Sequence, residues 1–193
     1  MSGAKATHGG STRSRWGEPP DDAGPNADPE AVARSIALAR LSAAPRSRAE
    51  LAQTMAKRGV PEDVTGRVLD RFCEVGLVDD AAFARAWVQS RQPGRGLARR
   101  ALATELRRRG IDPETAAVAL EEVTDHDEIA AARRLVSRKL RSSAGLERSV
   151  RMRRLMAMLG RKGYSGGVAV QVVREALDQE SAQAGGCHGD AAP

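Results

Sequence analysis

Aromatic residues are scarce in this 193-residue chain, at 3% of the total, while Ala, Leu, Arg and Glu are abundant. That balance speaks against a sandwich or barrel and for packed helices. Cysteine is nearly absent. Cys73 and Cys187 make no disulfide framework, which points to a reduced, cytoplasmic setting. No apolar run approaches the ~18–20 residues that a membrane span needs, so no membrane partner is expected. The N-terminus carries no apolar stretch of the secretory type. The histidines are His8, His126 and His188, two of them near the ends, and no Cys/His set has zinc-site spacing. Gly163-Tyr164-Ser165-Gly166-Gly167 lacks the Gly-Lys-Ser/Thr ending of a phosphate loop. No nucleophile elbow is present either. An enzyme needs at least one convergent polar constellation. With none in view, the reading is a non-enzymatic binding protein without cofactor or metal.

What the chain does have is a repeat. Gly59, Gly110 and Gly163 lie 51 and 53 residues apart. Eight residues before them sit Leu51, Leu102 and Leu155, and four before them Met55, Leu106 and Leu159. A basic residue precedes each glycine: Arg58, Arg109 and Lys162. A fixed period near fifty residues is the mark of a repeat architecture. One such unit is small for a full core, so the three are expected to stack and share one.

Taken in order, residues 1–27 are rich in Gly, Ser, Pro and Asp and read as a disordered tail, with Trp16 its one large apolar residue. The first three-helix unit spans 28–78. Asp28-Pro29-Glu30 opens its first helix, in which Val32, Ile36, Ala39 and Leu41 recur at roughly helical spacing. Ser47-Arg48-Ala49-Glu50 is a capping box for the second helix, closed by Gly59. The second unit spans 79–123. Asp79 or Asp80 caps its first helix; paired carboxylates also bind metals, but no third ligand lies nearby. Phe83 and Trp87, four residues apart, share a face and are read as core between the first two units. Arg91 to Gly96 is a basic loop broken by Pro93 and Gly94. The third unit spans 124–178, and Gly166-Gly167 predicts fraying at the start of its last helix. Residues 179–193 form a second disordered tail, where Cys187 and His188 are weak metal candidates.

The net charge is +6, and the third unit holds the excess, with twelve basic and six acidic residues. A cationic surface attracts nucleic acid or acidic protein, although a GC-rich genome also produces arginine-rich chains. The candidate partner-binding residues are the cations opposite the apolar stripes. In the second unit these are Arg91, Arg95, Arg100, Arg107 and Arg108. In the third they are Arg133, Arg134, Arg138 and Lys139 on the first helix, and Arg153, Arg154 and Arg161 on the second. A helix-turn-helix reader would place its last helix in the major groove. Here those helices carry Glu62, Asp63, Asp70 and Glu74, or Glu114, Glu121 and Glu122, which repel phosphates. An alternative remains open: a basic helical-repeat protein that binds DNA directly.

Three blocks resemble the RecX family, regulators of the RecA recombinase. They are Gly76-Leu77-Val78-Asp79-Asp80 followed by Phe83-Ala84-Arg85-Ala86-Trp87, then Leu102 to Leu106 running into Arg109-Gly110-Ile111, and Ser47 to Leu51 with Arg58-Gly59. The resemblance covers about residues 30–177. It implies an all-α fold of three tandem three-helix, helix-turn-helix-like repeats in an elongated, curved monomer. It implies a RecA filament as partner, with single- or double-stranded DNA met weakly or through that filament, and damping of ATP hydrolysis, strand exchange and SOS-related activity. The family carries no catalytic residues.

Overall fold

The structure, a computed structural model, describes residues 28–186, with side chains to residue 183. The two terminal tails, Trp16, Cys187 and His188 lie outside this range, except that residues 179–186 continue the last helix. The described residues form nine α-helices, one 3-10 turn and no strand. The first repeat is α1 (Pro29–Ala43), α2 (Arg48–Ala56) and α3 (Glu62–Glu74). The second is α4 (Asp80–Arg95), α5 (Arg99–Arg108) and α6 (Pro113–Glu121). The third is α7 (Asp125–Leu140), α8 (Arg148–Arg161) and α9 (Gly166–Gly186). Extensive helix–helix packing occurs only within each trio.

The caps follow the local chemistry. Asp28, Asp79 and Asp112 each accept a backbone N–H in the first turn of the helix they open. Ser47–Glu50 and Thr124–Asp127 form reciprocal capping boxes. Gly59, Gly110 and Gly163 have φ of +75°, +75° and +89°, the left-handed conformation that other residues adopt at a cost.

Four expectations are corrected. The repeats do not share one core. The first cluster holds Leu51, Met55, Leu69 and Phe72; the second Phe83, Val88, Leu102 and Leu106; the third Leu135, Leu155, Leu159, Val172 and Leu177. Among the described residues only Ala98, from the second repeat, joins a neighbour's cluster. The segment Arg91–Gly96 is not a loop, because α4 continues through Pro93 to Arg95 and stops at Gly96, φ +59°. Pro93 cannot donate to the Gln89 carbonyl, but Gln89 lies on the exposed side where water can serve. The glycine pair does not fray α9. Both residues fall in its first turn, where Ser165 Oγ accepts the Val168 amide at 3.3 Å. Finally, Ala39 is exposed, and α1 buries Ala33, Ile36 and Ala37 instead.

Candidate partner-binding surface

The repeats meet at two joints built from polar groups, and the joints decide which cations are free. At joint 1, between repeats 1 and 2, Ser47 Oγ donates to the Arg109 carbonyl at 2.6 Å, and the Arg48 amide donates to Asp80 Oδ1 at 2.8 Å. Asp79 therefore caps α4, while Asp80 secures the neighbouring repeat. Burial pushes the Asp80 carboxyl up from its ordinary range, and the Arg48 amide pulls against that. The Arg109 guanidinium pairs with Glu50. It also lies 3.7 Å from the Trp87 ring centre, with Arg91 at 4.1 Å. Trp87 is half-buried and donates Nε1–H to Glu105 at 2.9 Å. It is thus not core between the repeats, and Phe83, stacked on it at 5.9 Å, belongs to the second repeat's own core.

Joint 2 repeats the plan with other residues. The Ala98 amide donates to the Lys162 carbonyl at 3.0 Å, and the Arg99 amide to Glu128 Oε1 at 2.6 Å. Arg99 also pairs with Asp125. Lys162 Nζ donates to the Arg95 carbonyl at 2.5 Å, and buried Tyr164 donates its hydroxyl to the Gly96 carbonyl at 3.1 Å. In both joints, the start of a second helix receives the glycine turn and the opening acid of the next repeat. Those helix starts have free N–H groups that need acceptors, which is why the contacts are polar.

Burial, with Glu128 nearby and Arg134 opposing, pushes the Tyr164 hydroxyl up from 10.0 to about 12. A raised acid pKa means that the folded state resists ionisation. The resulting stability is fully present below pH 10 and is lost as pH rises towards 12. Because Tyr164 is the chain's single tyrosine, tyrosinate absorbance should titrate near 12 in the folded protein and near 10 in denaturant. Coincident midpoints would remove Tyr164 from joint 2.

Two grooves run along the second helices. One, about 470 Å³, spans joint 2 and brings together Arg100, Arg108 and Arg161, with Thr104, Glu105 and Tyr164 on its walls. The other, about 480 Å³, lies at joint 1 and brings together Arg91, Arg95 and Arg108 with Arg109, Trp87, Glu50 and Glu105. Arg108 and Glu105 line both, so the two grooves are neighbours that share a wall. None of Arg91, Arg95, Arg100, Arg108 and Arg161 forms an ion pair among the described residues.

Arg107, Arg134, Arg138, Lys139, Arg153 and Arg154 are exposed but line neither groove. Arg133 is engaged by Glu175 at 2.9 Å. Sequence reasoning missed a third cationic groove in the first repeat, lined by Arg40, Arg46, Lys57 and Arg58 with Glu50 and Thr54. The first repeat's near-zero net charge concealed it. The signal was there in register: Lys57-Arg58, Arg108-Arg109 and Arg161-Lys162 each precede a repeat glycine.

Comparison with known proteins gives consistent results. Residues 33–72, 79–120 and 126–173 match the first, second and third three-helix domains of RecX. The chain is 51% identical over 170 residues to the regulatory protein RecX of Streptomyces coelicolor, covering 88% of this chain and 87% of that one. It is 51% identical over 169 residues to the regulatory protein RecX of Thermobifida fusca, covering 88% and 91%. The crystal structure of RecX from Lactobacillus salivarius superposes with a TM-score of 0.70 at 20% identity, over 77% of this chain and 97% of that one. That likeness concerns the fold alone.

Proposed function

This chain belongs to the RecX family of regulatory proteins, and from that premise we propose that it is a non-enzymatic modulator of the RecA recombinase. It binds in the groove of the RecA–DNA filament and damps its ATP hydrolysis, strand exchange and SOS-related activity. The observation that carries this reading is the adjacent pair of grooves, lined by guanidiniums that form no ion pair among the described residues and sharing the wall at Glu105 and Arg108. An array of cations along successive second helices suits a long anionic partner better than a small substrate. The third helices of the first two repeats expose Glu62, Asp63, Asp70, Glu114 and Glu121, carboxylates that repel phosphate. Among the described residues no helix is long and apolar enough to cross a membrane.

The rival reading is a free-standing DNA-binding protein, which the cationic grooves also accommodate. Retention of single-stranded DNA by the chain, measured with and without RecA at physiological salt, separates the two. The filament reading expects association at least tenfold tighter when RecA is present, together with a dose-dependent fall in RecA ATPase. Equal retention in both arms with unaltered ATPase would favour the rival.

A further inference from the structure

The two joints share a pattern, and the first repeat presents half of that pattern with no described residue against its glycine turn. In joint 1 the glycine turn of repeat 2 lies against Ala49, the second residue of α2. In joint 2 the glycine turn of repeat 3 lies against Ala101, the third residue of α5. The carbonyl before each glycine accepts a bond from the residue capping that helix, Ser47 or Ala98. An acid at the start of the repeat, Asp80 or Glu128, accepts the first amide of the same helix. The first repeat carries the same parts. Gly59 has the same φ as Gly110, Arg58 precedes it, and Asp28 and Glu30 stand at the start of α1. Among the described residues nothing lies within 4 Å of where a Gly59 side chain would begin, and Lys57, Arg58 and Gly59 are exposed.

We propose that this end face of the first repeat is a docking surface for the N-terminus of a helix on a partner protein. The chemistry of the joints specifies that helix. It has a small residue at its second or third position, a cap that donates to the Arg58 carbonyl, and a first-turn carboxylate for the Arg58 guanidinium, as Glu50 serves Arg109. A second copy of this chain does not supply it. Counting back from the shared leucine, the residues matching Ala49 and Ala101 are Arg153 and Arg154, inside α8 and not at its start. The true start of α8 is held by α9, through Arg148–Asp178 and Arg151–Glu180. Among the described residues the array therefore has one open end.

The test uses the full chain and a side-chain-stapled helical peptide of residues 46–56, which carries the Ser47–Glu50 helix start. Titrated by fluorescence anisotropy, the peptide should bind the wild type with saturable affinity. Gly59→Asn, which tolerates a positive φ, should weaken that binding at least tenfold while leaving the melting temperature unchanged. No binding to the wild type, or equal binding to the variant, overturns the proposal. Binding that appears only after residues 1–27 are removed names that segment as the occupant and also overturns it. So does concentration-dependent self-association that Gly59→Asn abolishes. On the proposed function that partner is a RecA subunit, so the variant is also tested for filament binding. Loss of filament binding in the wild type would sink that reading and leave the peptide result standing.

Discussion

Gly163→Ala is expected to destabilise the chain by about 3–4 kcal/mol and Gly59→Ala by about 1–2 kcal/mol, although both replace a glycine of similar positive φ. The shared part is the backbone cost of placing a side chain in the left-handed region. The difference lies at the joint. A methyl group on Gly163 would sit 2.6 Å from the backbone nitrogen of Ala101 and 2.7 Å from its Cβ. Backbone cannot swing aside as a flexible side chain can, so joint 2 must open or distort. That loosens the Lys162–Ala98 and Tyr164–Gly96 bonds with it. At Gly59 no described atom is within reach. Urea unfolding followed by circular dichroism measures both costs. Equal values for the two variants would mean that the joint contributes nothing to stability.

The second large effect concerns the grooves. Replacing Arg100, Arg108 and Arg161 together by Ala should lower affinity for the RecA–DNA filament about 100-fold and flatten its salt dependence by about three units of slope, as loss of three anion contacts implies. Folding stability should stay within about 0.5 kcal/mol of the wild type, because exposed, unpaired side chains hold little of the fold. Arg133→Ala is the internal control. Its guanidinium is already engaged by Glu175, so affinity should change little. An unaltered filament isotherm for the triple variant at 150 mM salt, roughly an 8 Å screening length, would take these arginines out of the interface.

The repeat was legible in the sequence because its carriers are local. A glycine that must take a positive φ and leucines four and eight residues before it mark the same turn three times. The helix starts at Asp28 and Ser47 were readable for the same reason, since a cap acts within one turn. The joints were not. Arg109 meets Glu50, and Tyr164 meets the Gly96 carbonyl, across 59 and 68 residues. Half of those bonds use backbone groups that leave no trace in residue identity. Ala98, at the start of the second repeat's middle helix, buries against the next repeat, which nothing local to it indicates. The helix through Pro93 was hidden because the proline's missing bond falls on the exposed side, where burial does not punish it. Among the candidate cations, periodicity distinguished inward from outward but not paired from unpaired. Arg133 and Arg161 therefore looked alike until their neighbours were known.

Separate cores joined by hydrogen bonds and ion pairs have a mechanical consequence. Bending a rod with one continuous apolar interior exposes oily surface, a loss that solvent cannot make good. Joint 1 has no such interior, since no apolar cluster crosses it. Each bond given up there can be replaced by one to water, so the first repeat can swing at small cost. Joint 2, where Ala98 is sunk among its neighbour's aliphatic side chains, is the stiffer of the two. The two joints are thus unevenly coupled, by polar bonds alone between the first two repeats and by polar bonds with an apolar anchor between the last two.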